Sequence, residues 1–136
     1  MPRTRPCVPD VRRGRLNKAN QFLDAADLVR ELADEDSKLA DAYVTLCVHA
    51  GIAAADVICC ARLGVHALGE DHNEAIALLA SADNGSAKHL RTLLTMKTKA
   101  AYSHTPASAE DCKRAGRAAE TIVEAARRIH AAGPTS

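Results

Sequence analysis

The densest set of chemically active side chains in this 136-residue sequence is Lys97-Thr98-Lys99-Ala100-Ala101-Tyr102-Ser103-His104. Two ammonium groups, a phenol and an imidazole fall within about two helical turns. Such a set can hold a phosphate through charge-assisted hydrogen bonds, and its imidazole can move a proton on a ribose hydroxyl. The same cations also suit a helix C-terminus, where the backbone dipole favours positive charge. A second candidate is Asp56, set between Ala53-Ala54-Ala55 and Val57-Ile58-Cys59-Cys60. A carboxylate among apolar residues is costly unless it is paired or protonated. Asp56 is therefore expected either to bridge to a Lys, Arg or His on another helix or to line a pocket. Arg62 and His66 are four apart and share a helical face. His72 follows Asp71 at a turn, where capping and bridging compete with catalysis.

Other chemistries find no support. His49, His66 and His72 match no metal-binding spacing, and there is no CxxC or Cys/His finger among the five cysteines. No metal or other cofactor is expected. There is no Gly-rich phosphate loop, no Ca²⁺ loop and no nucleophile elbow. Cys47, Cys59 and Cys60 share one expected helix and read as small buried hydrophobes in a reducing cytosol. The basic N-terminus is not followed by an apolar signal core, and no apolar run is expected to cross a membrane. The expected location is cytoplasmic, with no membrane partner.

The elements that must carry these residues are helical. Ala is abundant, aromatic residues make up 2% of the chain, and β-branched residues are few, a composition that favours helix over sheet. A chain of this length buries roughly two-thirds of its unfolded surface and needs no staple to fold. The first helix is expected over Leu16–Ala33, with Phe22, Ala25, Ala26, Val29 and Leu32 on its apolar stripe and Leu23 flanking it. Asp34-Glu35-Asp36-Ser37 then forms a linker, with Asp36 or Ser37 as the next cap. The second helix is expected over Lys38–Leu68. Between Ala42 and Ala61 its only acidic or basic side chains are His49 and Asp56, so it is a buried central helix or one face of a dimer. Gly51 can kink it or admit a close neighbour. Gly69-Glu70-Asp71 ends it, and a short helix follows over His72–Ala82. Asp83-Asn84-Gly85-Ser86 reads as a turn, with Ser86 capping a fourth helix that runs to Ser103. Ser108 and Asp111 form a capping-box pattern for a fifth helix that ends near Ala131. The fold class expected is thus all-α, a four- to five-helix up-and-down bundle with a long, buried second helix. Residues 1–14 are expected as a basic tail, 15–132 as the bundle and 133–136 as a C-terminal tail.

Net charge is +1, so the chain as a whole is no electrostatic clamp for nucleic acid. The asymmetry is local. Arg3, Arg5, Arg12, Arg13, Arg15 and Lys18 face a single acid, Asp10, in the first eighteen residues. Pro2, Pro6 and Pro9 make this segment a poor helix. It reads either as a solvated tail or as an arm that contacts nucleic acid.

Several segments together resemble the HEPN domain, the small helical family named for nucleotide binding in higher eukaryotes and prokaryotes. They are Leu39-Ala40-Asp41-Ala42-Tyr43, Asp71-His72-Asn73-Glu74-Ala75-Ile76-Ala77-Leu78-Leu79, and Leu93-Leu94-Thr95-Met96-Lys97-Thr98-Lys99-Ala100-Ala101-Tyr102-Ser103. The helix from Ser108 to Ile129 is similar to the family's last helix. The resemblance covers about Leu39 to Ile129. It implies a bundle that often pairs into a dimer, and in many members ribonuclease activity through an Arg-x4-His motif at the end of the fourth helix. Lys97 and Tyr102 stand at the matching positions here, and the shifted pair Lys99 and His104 keeps the spacing. Lys supplies a point charge in place of a bidentate fork, and a phenol with a pKa near roughly 10 is a poor base at neutral pH. The leading expectation is therefore a non-catalytic module that dimerises and binds a nucleotide, an RNA or a protein partner through Lys97, Lys99, Tyr102, His104, Asp56 and His72. The alternatives are a metal-independent endoribonuclease using Lys99 and His104 with Tyr102, and a purely structural interaction protein.

Overall fold

The longest apolar stretch of the sequence becomes the axis of the molecule. In the computed structural model, which describes residues 3–33, 38–69 and 71–133, helix α2 spans Ala40–Leu63. Around it run α1 (Pro9–Leu32), α3 (His72–Ala82), α4 (Asn84–Tyr102) and α5 (Ala109–Ala132), with two three-residue strands, β1 (Thr4–Pro6) and β2 (Val65–Ala67). Helices α1, α4 and α5 all pack on α2. Val44, Cys47, Ala50, Ala53, Ala54, Val57 and Ile58 are fully buried there. This is the expected all-α bundle with a long, buried second helix.

By length and composition α2 does reach what a membrane span needs, contrary to expectation. Yet 72% of that apolar window is buried within the fold, so the bundle itself already covers it. Small residues set how closely the neighbours approach. A Cβ at Gly51 would collide with Cδ1 of Leu93 on α4. Gly51 thus admits a neighbouring side chain into an unbroken helix. At Gly64 the chain takes φ 73°, and the Gly64 N–H donates to the Cys60 carbonyl. This left-handed cap, which glycine adopts without steric cost, ends α2 at Leu63, short of the expected Leu68.

The residues after the cap form β2, which pairs antiparallel with β1: Thr4 opposite Ala67, Arg5 opposite His66, Pro6 opposite Val65. The segment expected as a tail, residues 1–14, is therefore corrected over its described part. It holds a strand, the first turns of α1, and a disulfide between Cys7 and Cys60. Pro9 opens α1, because the first helical position has no use for its N–H. Prolines read as helix breakers act here as a helix start and an edge-strand residue. The disulfide also corrects the reading of Cys60 as a free buried thiol. Cys47 and Cys59 are free and buried as expected, and Cys112 is free and half-buried. Closing a loop of 53 residues stabilises the fold by roughly 4 kcal/mol in the chain-entropy account.

The remaining ends follow local rules. Asp71 accepts from the Glu74 N–H and caps α3 over the expected bounds. Asn84 and Gly85, expected as a turn, instead begin α4. Asp83 stands at its N-cap and Ser86 lies inside the first turn, its hydroxyl donating to Asp83 Oδ2. Ser108 and Asp111 form the expected reciprocal capping box of α5. On α1 the buried stripe is Ala19, Leu23 and Ala26, whereas Leu32 is 82% exposed. The expected cap at Asp36 or Ser37, Glu70 of the expected stop, and the tail residues 134–136 lie outside the described residues.

Candidate functional site

The cap at Gly64 has a consequence for chemistry: it swings β2 and β1 over one side of α2. Together with the start of α3 and the middle of α4 they enclose a cleft of about 600 Å³. Its floor is apolar, made by Ile52, Ala55 and Cys59 of α2 and by Leu90 and Leu94 of α4. Its rim is polar. Arg5 comes from β1, His66 from β2, His72 from the first turn of α3 and Lys97 from α4. A concave, apolar cavity with a few convergent polar groups is the usual form of a small-molecule site.

One wall is the Arg15–Asp56 pair. Arg15 Nε donates to Asp56 Oδ2 at 2.9 Å, with the side chains 28% and 16% exposed. Asp56 is thus paired with a cation on another helix, and it also lines a pocket. Burial pushes its carboxyl above the ordinary carboxylate range, against the opposing pull of Arg15 and His66. Burial, with Asp56 adding to it, pushes the neighbouring Cys59 thiol up to about 12, so this sulfur stays protonated and unreactive at neutral pH.

The imidazoles are fixed to different degrees. His66 Nδ1 lies 3.0 Å from the Ala67 carbonyl. A carbonyl only accepts, so Nδ1 donates and Nε2 remains for an outside partner. His49 stacks on Phe22 with ring centroids 5.3 Å apart. His72 follows the Asp71 cap, so its ring sits where the α3 dipole is positive. Arg5 and Lys97 enter no ion pair among the described residues. The cleft therefore carries two cations with no acidic partner among the described residues, while Asp56 is neutralised by Arg15 and Asp71 is engaged as a cap.

Of the six residues expected to bind a ligand, the fold brings three together: Asp56, His72 and Lys97. The other three lie elsewhere. Lys99 Nζ is 3.0 Å from Asp111 Oδ2, which ties the end of α4 to the capping box of α5. Tyr102 is 80% exposed, and His104 is exposed in the loop between α4 and α5. Helical geometry separates Lys97 from Lys99, since two residues turn a side chain by about 200°. Arg5 and Arg15 belong to the site although the sequence placed Arg5 in a tail and Arg15 at a helix start. Pro9 read as a helical first residue would have put Arg15 on α1, but no local signal pairs it with Asp56 or brings Arg5 to the rim.

Two other concavities are chemically plainer. One of about 790 Å³ lies between α1, the start of α4 and α5, and is acidic, with Asp24, Asp27, Glu120 and Glu124. The other, of about 580 Å³, runs from the end of α1 past Tyr43 to α5. Among the described residues no group of three or more His, Cys, Asp or Glu side chains is placed to hold a metal ion. No protein-family model matches the chain, and no curated protein matches it.

Proposed function

We propose that the chain is a non-catalytic, HEPN-like helical module whose cleft between β1–β2, α2, α3 and α4 binds a phosphate-bearing ligand, a nucleotide or the end of an RNA. The observation that carries this reading is the meeting of two cations with no acidic partner among the described residues, Arg5 and Lys97, with His66 and His72 around an apolar floor in a cleft of about 600 Å³. The cations and the α3 N-terminus suit a phosphate. The floor of Ile52, Leu90 and Leu94 suits a base.

Titration of the purified chain with adenosine 5′-monophosphate, inorganic phosphate and a short single-stranded RNA tests it. Lys97→Ala and Arg5→Ala should each weaken binding by roughly tenfold or more, the cost of a lost charge-assisted hydrogen bond. Lys99→Ala, outside the cleft, should leave it unchanged. Binding that ignores Lys97 and Arg5, or no binding at millimolar ligand, would sink the proposal.

The endoribonuclease alternative has less support, because Lys99 is held by Asp111 and His104 stands in solvent. Metal-independent RNA cleavage that disappears in His104→Ala would favour it. The homodimer is proposed from the family resemblance alone. The apolar surface of α2 that also suggested a dimer is covered by α1, α4 and α5 within one chain. Sedimentation at micromolar concentration should give twice the 14.4 kDa chain mass, and a monomer would refute it.

A further inference from the structure

The cleft has one wall that the bundle does not hold. Strand β1 brings Arg5 and Pro6 to the rim, but all three of its residues are exposed. No apolar burial anchors it. Among the described residues its non-covalent ties are the short ladder to β2, the Cys7 N–H to Gly64 carbonyl bond, the Leu68 N–H to Arg3 carbonyl bond, and an exposed Arg3–Glu74 pair at 3.4 Å. A two-stranded ribbon of this length is marginal in water, and an exposed ion pair adds little. What remains is the Cys7–Cys60 disulfide, which fastens the residue after β1 to the buried face of α2. From Leu16 onward α1 packs on the core through its own apolar stripe, so the disulfide governs the strand more than the bundle.

We propose that the Cys7–Cys60 disulfide is a redox latch on the cleft: closed, it holds Arg5 on the rim opposite His66, and when an external dithiol reduces it, β1 is released and the cleft loses affinity for its phosphate-bearing ligand. This deepens the binding reading above and rests on it. The exchange balances with a dithiol as two-electron reductant. Its first thiolate attacks the half-exposed Cys7 sulfur, the S–S bond breaks, and Cys60 leaves as a thiolate that takes a proton. The second thiol, as thiolate, then attacks the reductant's sulfur in the mixed disulfide. Cys7 leaves and is protonated, and the reductant departs as a cyclic disulfide. Cys59, although adjacent to Cys60, does not compete, because its buried thiol is held protonated.

The test uses the full chain, oxidised and after dithiothreitol, with amide hydrogen exchange and titration of adenosine 5′-monophosphate run on both. Reduction should speed exchange at Thr4, Arg5, Cys7 and residues 65–68 while α2 and α5 stay protected. It should also weaken binding by roughly tenfold, matching Arg5→Ala, as expected for one lost charge-assisted contact. Cys7→Ser, which leaves the core cysteine in place, should behave like the reduced protein and ignore dithiothreitol. Equal binding and equal strand protection in both states would overturn the latch alone. An oxidised protein that binds neither adenosine 5′-monophosphate nor inorganic phosphate would overturn the binding reading instead. Five titratable thiols in protein kept under air would remove the latch outright.

Discussion

Replacing Arg15 by Ala leaves the Asp56 carboxylate in the cleft wall with its nearest cation gone. The bond removed is a 2.9 Å charge-assisted one between side chains 28% and 16% exposed. Breaking a fully buried pair costs roughly 3–5 kcal/mol; the partial exposure here lowers that to about 2–4 kcal/mol. The cost should depend on pH. The folded pKa of Asp56 is already raised, chiefly by burial, with Arg15 pulling the other way. Removing Arg15 raises it further. A carboxyl with a raised folded pKa binds more protons folded than unfolded, so its contribution to stability is greatest at low pH and is lost as pH rises through the folded value. The destabilisation by Arg15→Ala should therefore be largest near pH 8 and shrink toward pH 5, by up to about 1.4 kcal/mol per pH unit inside the window. Asp56→Ala should cost less, about 1–2 kcal/mol, because the long Arg15 stem can carry its head to water. Urea unfolding of the parent and both variants at pH 5, 6.5 and 8 measures this. A pH-independent cost for Arg15→Ala, or a larger cost for Asp56→Ala, would refute the reasoning.

Gly51→Ala should destabilise by up to about 2 kcal/mol. Overpacking against the fully buried Leu93 costs roughly 1–3 kcal/mol, partly offset by about 1 kcal/mol of helix propensity. Adding Leu93→Ala should cost less than the sum of the two single changes, and thermal melts that simply add would contradict the collision. Ser108→Ala should cost about 1 kcal/mol through loss of the α5 cap. Its partner Asp111 is held below the usual carboxylate range by the Ser108 backbone N–H first and by Lys99 next. That stabilisation is present above the unfolded carboxyl pKa and lost as pH falls through the folded one, so on acidification the parent should lose more stability than Asp111→Asn, which has no carboxylate to protonate. Iodoacetamide at pH 8 should leave Cys47 and Cys59 unmodified in the native protein, since burial pushes both thiols up to about 12; fast labelling of either would show that the α2 core is open.

Short-range physics was legible in the residues. The near-absence of charge from Ala42 to Ala61 marked α2 as the core helix, Gly69-Glu70-Asp71 marked the break before α3, Ser108 with Asp111 announced the start of α5, and helical spacing alone put Lys97 and Lys99 on different faces. Each of these depends on neighbours within a turn or two, which a sequence displays directly. Asp56 was legible only halfway. Its apolar surroundings required a cationic partner, but Arg15 lies 41 positions away, and nothing local distinguishes it from the other basic residues of the N-terminal segment. The same limit applies to Cys7 and Cys60, 53 positions apart, and to the pairing of β1 with β2, which follows from one left-handed glycine at position 64 redirecting the chain. Long-range partners are decided by which helix surfaces meet when the core closes around α2. That closure turned a basic segment with three prolines into a strand, a helix start and the cationic rim of the cleft.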